Sequence, residues 1–504
     1  MDFNEAKSIL NGLLEDNPII AIREAKKLSG DPSFLLLKGA ILIDAGAATK
    51  SHEDVKEGVE VMGFVSSLLP DDQSILYNLA NGYHALATTL VLKCPEWYQV
   101  TYEYRLKARQ LFYGVGCYDK TSKEIKTQSF TNLGNLLWSS YRWVEAYDAY
   151  KQAMLVDPGN GTASAGALKI LRYAYSNNMG NEDLLVSEIE SLATHVRANI
   201  ESIAKYSGRA AVQGILEAIK DIPNGDCTSS PKPKDAYENF VLRHSLTLSP
   251  TIQRYAHEKE RWDELNIYSV ILPRGSEYQV PEVFAMFNVM KADYILARKL
   301  LFDGVEDKQT ETGSYADTLD YANYGVRSSL LTLAQRASLD LLDKIAVASL
   351  SFFNIENARR ASFKTAWYKS SKSNRNTYRP EVEEEIVKGN TALLAITEIA
   401  NDLSESTGFL KSKQDVRNSS THRFTVLHDF GVARTEPSGC IEHMDERKFI
   451  SEAIETLKLA RSALIYFVQM IDIHSERFQE ENEGLICTLD VPSHEYIRHG
   501  KREK

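Results

Sequence analysis

Apolar residues recur at every third or fourth position along nearly the whole chain, and the alternation that marks a half-buried strand is scarce. That spacing gathers apolar side chains on one face of a helix, so it predicts an all-α protein. Two segments carry the pattern most strongly: Pro281 to Leu301 (PEVFAMFNVMKADYILARKLL), with proline in its first turn, and Leu330 to Phe353. Further helices are expected at about 381–404 and 447–474, and the four together can close a helical bundle. Between Pro223 and Lys234 the run PNGDCTSSPKPK collects the turn formers of a linker. The expected organisation is a helical array over 1–222, a linker at 223–240, a bundle over 241–480 and a tail over 481–504.

Within the first part, Ser129 to Pro158 (SFTNLGNLLWSSYRWVEAYDAYKQAMLVDP) reads as helix, tight turn, helix and stop. Small residues at Gly134, Ala146 and Ala153 let two antiparallel helices approach, and larger ones at Phe130, Leu133, Leu137 and Tyr150 fill the groove between them. Pro158 marks the end of the second helix. These positions resemble those of a tetratricopeptide repeat, with Phe130 and Leu137 in place of the usual Trp and Tyr. Weaker copies precede it. One runs through Leu35, Gly39, Leu42, Gly58, Met62, Val65 and Pro70, and another through Leu76, Leu79, Ala80, Tyr83, Ala108 and Phe112. A lone repeat cannot bury its own face, so at least three stacked units and a capping helix are expected.

Composition narrows the picture. At 504 residues and 43% hydrophobic, the chain can bury a large core in two domains or more. Its net charge of −11 repels nucleic acid overall, so any RNA contact must come from a local basic patch. Two stretches supply candidates: Lys369 to Arg379, with four cations and no acid, and Lys411 to Arg423. The five cysteines are scattered and form no Cys-x-x-Cys pair, which points to reduced thiols rather than disulfides or a thiolate metal site. The N-terminal segment is acidic and amphipathic, and no run approaches 18 apolar residues, so a soluble, unanchored, cytoplasmic protein is expected.

The most informative chemistry lies near the C-terminal end, in Arg417-Asn418-Ser419-Ser420-Thr421-His422. Arg stays charged and forks onto phosphate oxygens, whereas His gives or takes a proton near neutral pH. An attacking 2′-hydroxyl, a phosphate gaining charge and a departing 5′-oxygen need those two capabilities, and no metal. A second copy of the spacing, Arg423 to His428, is filled with largely apolar residues and reads as helix packing around a satisfied His. Glu405 and Asp415 read as helix-capping or solvated acids, with tuning of His422 as the alternative.

The C-terminal half resembles the HEPN domains, in particular the bacterial branch in which such a domain follows tetratricopeptide-like helices. The resemblance covers about 240 residues and rests on NVMKADYILARKLLF at 288–302, SLDLLDKIA at 338–346, the Trp367-Tyr368 pair, and VRNSSTHRFTVLHD at 416–429. It implies an all-α fold: a TPR-like superhelix followed by a HEPN helical bundle. It also implies a metal-independent endoribonuclease, of toxin or anti-phage type, with no cofactor and no metal. Arg417, Asn418 and His422 match that family's Arg-x4–6-His motif, and tRNA or mRNA would be cut to a 2′,3′-cyclic phosphate and a 5′-hydroxyl. A homodimer pairing two motifs, with a protein or peptide partner in the repeat groove and no membrane, completes what the resemblance implies.

The competing reading is a scaffold or nucleotide-binding regulator without chemistry, in which Asn132, Asn135 and Lys151 contact a peptide. Other enzyme classes lack their parts, since there is no phosphate-binding Gly-x4-Gly-Lys loop, no His-Glu-x-x-His and no Gly-x-Ser-x-Gly. His443 and His474 sit among acids at helical spacing and read as surface ion pairs, with a metal site as the alternative, and Trp97, Tyr98, Tyr102 and Tyr104 read as packing rather than base-stacking residues.

Overall fold

The computed structural model describes residues 2–179, 182–225, 233–249, 263–271, 280–306, 311–369, 377–404, 424–430 and 440–481. Most of the 223–240 linker's centre (226–232) and the tail beyond Glu481 lie outside them.

The chain opens with α1 (Phe3–Asp16) and α2 (Pro18–Ala25), followed by helix hairpins. These are α3 (Pro32–Thr49) with α4 (His52–Leu68), α5 (Gln73–Thr88) with α6 (Glu96–Cys117), α7 (Lys123–Ser139) with α8 (Trp143–Val156), and α9 (Gly161–Ser176) with α10 (Glu182–Ala198). Each helix packs on the next, and the odd-numbered helices α1, α3, α5, α7 and α9 also pack on the next but one, the contact pattern of a stacked TPR-like array. α11 (Ile200–Ile219) covers the end, against α9 and α10.

Close approach between paired helices depends on glycine. A Cβ at Gly58 of α4 would stand 2.9 Å from Ile43 Cγ1 and 3.0 Å from the Gly39 carbonyl of α3, and one at Gly134 of α7 would stand 2.6 Å from the Tyr150 ring of α8. Among the described residues, α3 is long and apolar enough to cross a membrane, with 18 residues and a mean hydropathy of 1.3. The sequence reading did not anticipate it. Its apolarity has a packing explanation, because α1, α2, α4 and α5 all lie against it.

The second part begins with α12 (Ala236–Arg243) and builds a bundle from α13 (Glu282–Glu306), α14 (Val326–Phe352), α16 (Thr391–Ser404) and the 36-residue α17 (Glu446–Glu481). In α13, Met290, Tyr294, Ala297 and Leu301 face inward, and buried Arg298 pairs with Asp263 at 2.6 Å. The helix expected over 381–404 is two helices, α15 (Pro380–Val387) and α16. Gly389 turns the backbone left-handed at φ 94°, and the Asn390 side chain accepts the Leu393 amide to start the next helix.

A small sheet forms at one end of the bundle. β1 (Ala322–Asn323) pairs antiparallel with β2 (Phe424–His428), which pairs parallel with β3 (Ile441–Asp445). The helix reading of Arg423 to His428 is therefore corrected for 424–428, and Arg423 itself lies outside the described residues. Five residues with Thr425 and Val426 at their centre suit a pleated strand, and a run this short cannot be told from a buried helix segment by periodicity.

From α5 onward the two parts share one core, while α1 to α5 pack around smaller clusters of their own. Trp143 donates its indole N–H to Gln469 at 2.8 Å, and the Tyr466 hydroxyl accepts the Val144 amide at 3.1 Å and donates to Glu145 at 3.2 Å. The strongest connection is a buried ion ladder. Arg105 and Arg109 project from one face of α6, Glu398 and Asp402 from one face of α16, each pair spaced i, i+4. Arg105 reaches Glu398 at 2.6 Å, while Arg109 reaches Glu398 at 3.1 Å and Asp402 at 2.8 Å. Arg142, from the α7–α8 turn, closes on Asp402 and on Glu145. Three guanidiniums thus face three carboxylates. Burial alone would raise the Glu398 carboxyl, but Arg105 and Arg109 outweigh it and hold the group below its ordinary 4.5.

Three outcomes follow from this packing. Gly58→Ala should lower stability by about 1–3 kcal/mol through overpacking, whereas Gly63→Ala in the same helix, with nothing within 4 Å of the new methyl, should raise it by about 0.5–1 kcal/mol; urea denaturation separates the signs. Asp402→Asn should cost about 3–5 kcal/mol in the same measurement, because it leaves buried guanidiniums under-compensated. A carboxyl depressed in the folded state contributes stability that is full above its unfolded value and lost as pH falls through its folded value. The unfolding midpoint should therefore decline below about pH 4.5, and the decline should flatten in Glu398→Gln.

Candidate functional site

Arg417, Asn418 and His422, together with Glu405 and Asp415, lie in 405–423, outside the described residues. The structure defines the two ends from which that segment is held. Its upstream end is α16, and its downstream end is Phe424, the first residue of β2. The ladder fixes α16 against α6 only two residues before Ser404 closes the helix, and β2 is fixed by strand pairing on both sides.

The basic stretch Lys369 to Arg379 is rooted on the same helix. Residues 370–376 lie outside the described set, but their flanks are joined by a bridge between Tyr368 and Tyr378, whose rings stack at 5.3 Å. The Tyr368 hydroxyl donates to Asn401 at 2.8 Å, and the Tyr378 hydroxyl meets that of Thr397 at 3.3 Å. The flanks of this stretch are thus bonded to the last two turns of α16.

Beside β2, three side chains converge that the sequence reading kept apart. Leu427 and Met444 of the paired strands join the core, and strand alternation sends His428 and His443 to the other face. His428 is fully buried. Its Nδ1 donates to the Asp320 carbonyl at 2.9 Å, and its Nε2 lies 2.8 Å from His443 Nδ1. With the Asp320 carboxylate, ligand-capable atoms of the three residues all lie within 4.8 Å of one another. The ion-pair reading is thus replaced for His443, which sits on a strand against a second imidazole. It holds for His474, whose Nδ1 lies 3.2 Å from Glu385, itself paired with Arg477 at 2.6 Å. No local pattern reveals the His428–His443–Asp320 cluster, since Asp320 is over a hundred residues upstream.

Where β2 ends, a polar cavity of about 540 Å³ opens beside Asn323, Arg327, Asp429, Phe430, Glu446 and Arg447. Arg327 pairs with Glu446 at 2.5 Å, and Asn323 donates to Asp429 and Glu446, so acids answer the cavity's cations. Exposed aromatic rings flank the sheet: Phe424 at its entry, with Tyr321 and Phe430 edge to face at 5.4 Å. In the array, Trp97 and Tyr98 pack around Arg105, with ring centres 4.8 and 4.9 Å from its guanidinium. Asn132 bonds Tyr77 and Asn81, Asn135 accepts from Tyr150, and Lys151 pairs with Glu188.

No curated protein and no solved structure matches this chain. Residues 275–476 match the family model described as LA2681-like HEPN. That range takes in α13, α14, α16, the sheet, the Arg417–His422 segment and nearly all of α17. HEPN domains serve nuclease or nucleotide-related functions in general, and the helical bundle at residues 275–476 of this chain is an LA2681-like HEPN domain, behind an N-terminal array of TPR-like helix pairs.

Proposed function

We propose that this protein is a metal-independent endoribonuclease of HEPN type, acting as a toxin or anti-phage effector and regulated through its TPR-like array. The observation that carries the reading is the Arg417-Asn418-x-x-x-His422 set inside the matched HEPN range. Arg417 neutralises the scissile phosphate, Asn418 orients the ribose hydroxyl or the Arg, and His422 moves the proton. The 2′-hydroxyl attacks the adjacent phosphorus and the 5′-oxygen leaves, giving a 2′,3′-cyclic phosphate and a 5′-hydroxyl. One His per motif favours a homodimer, in which a second His stands across the phosphate.

Two features of the frame support an RNA substrate. The flanks of one basic stretch, Tyr368 and Tyr378, are bonded to α16, the helix that precedes the other stretch in sequence, and local cations are what an acidic protein needs to hold RNA. Phe424, Tyr321 and Phe430 offer exposed faces on which unpaired bases can stack. The ladder supports regulation, since a partner that shifts α6 or α8 pushes on the helix leading into the motif.

Cleavage of a mixed tRNA and mRNA pool in EDTA tests this directly. Wild type should yield cyclic-phosphate ends, and Arg417→Ala and His422→Ala should each reduce the rate by roughly 100-fold or more. Equal cleavage by wild type and His422→Ala would refute the assignment. No cleavage by any of them, with growth unaffected on overproduction, would favour a non-catalytic scaffold.

A further inference from the structure

We propose that Asp320, His428 and His443 form a binding site for one divalent transition-metal ion, zinc in the first instance, which clamps the loop before β1 to strands β2 and β3. The inference is independent of the ribonuclease reading and goes beyond the sequence expectation of no metal.

The donor set comes first. Two imidazole nitrogens and one carboxylate suit zinc and its first-row neighbours, whereas calcium and magnesium prefer all-oxygen surroundings. Two of the three donors are also held from behind. The Asp320 carbonyl accepts a hydrogen bond from His428 Nδ1–H, which leaves the Nε2 lone pair toward the cluster. The Thr318 hydroxyl donates to the Asp320 carboxylate and fixes its direction. Such outer contacts are what orient metal ligands in general.

The backbone around Asp320 is bent to make this possible. Leu319 and Tyr321, on either side of it, both adopt left-handed conformations, at φ 58° and 59°. That region is costly for a leucine and a tyrosine, and together the two bends aim both the carbonyl and the carboxylate of Asp320 at the imidazoles. Leu319 gains no burial in return, being 87% exposed. Strain without packing benefit marks a loop shaped for its side chain's target.

The fit between the two imidazoles requires little movement. At metal–nitrogen distances of about 2.0–2.1 Å in tetrahedral geometry, two ligating nitrogens stand about 3.3 Å apart. The His428 Nε2 and His443 Nδ1 atoms are 2.8 Å apart, so the rings need to part by roughly half an ångström. His443 is the more exposed of the two rings. In the hydrogen-bonded form its Nδ1–H donates to His428 Nε2; on binding, that proton relocates to the His443 Nε2, and no net proton is released. Three protein ligands leave a fourth position for water. The ion acts structurally, taking no part in phosphodiester chemistry.

The test uses the full chain, stripped with a chelator and titrated with Co²⁺ under reducing conditions, then with Zn²⁺ in competition. We expect one equivalent per chain, the visible absorption of a four-coordinate nitrogen and oxygen site without thiolate bands, and a rise in unfolding temperature on zinc addition. His443→Ala and Asp320→Ala should each weaken binding roughly 100-fold or more, and Thr318→Val about 10-fold. His422→Ala should bind like wild type. Circular dichroism confirms that each variant is folded, and Thr318→Val keeps all three ligands in place. Absence of saturable binding, or binding unchanged in both ligand variants, overturns the proposal. No RNA enters the measurement, so its failure and failure of the ribonuclease assignment are separate results.

Discussion

The whole arrangement depends on the buried ladder between α6 and α16. Removing charged groups from water costs several kcal/mol each, and only close, complete pairing recovers it. Here Arg105, Arg109 and Arg142 meet Glu398, Asp402 and Glu145 in equal number, and Arg105 gains two aromatic faces as well. Because the pairs on both helices are spaced i, i+4, a slip of one turn would strand a guanidinium at one end and a carboxylate at the other. The ladder therefore fixes register between two helices whose partners are 293 residues apart in sequence. A greasy contact of the same area would tolerate sliding; this one does not.

Everything assigned to function is attached to that fixed point. α16 roots the loop after Tyr368 and leads into the segment bearing Arg417 and His422. On the far side the segment enters β2, whose neighbour β3 runs directly into α17. α17 in turn reaches back to the array through Tyr466, Gln469 and Arg461, the last at 3.2 Å from Asp148. The array is thus tied to both described flanks of residues 405–423, to α16 through the ladder and to the sheet through α17, and the His428–His443–Asp320 cluster stands on the second connection.

The sequence made the helices legible because their periodicity is local. α13, α14 and α17 appear where expected, with α13 and α17 running five and seven residues past the expected ends, and the hairpin at Ser129 to Pro158 forms as its small and large residues require. Errors fell where local pattern is ambiguous. Phe424 to His428 is too short for its period to speak, and the Lys388-Gly389-Asn390 stop was passed over inside a longer apolar pattern. α3 lacks a polar face because it has neighbours on several sides, which no window of sequence contains.

What the sequence by itself determined is the helical class, the repeat hairpins, and the identity and spacing of Arg417, Asn418 and His422, since each is written within one or two helical turns. What only the tertiary structure decided is who meets whom across long separations. Arg105 finds Glu398, and Asp320 finds His428 and His443, through chain closures whose partners carry no mutual signal in the sequence. The physical reason is that side-chain periodicity is set by backbone geometry over a few residues, while pairing of distant charges is set by which faces the folded core leaves together.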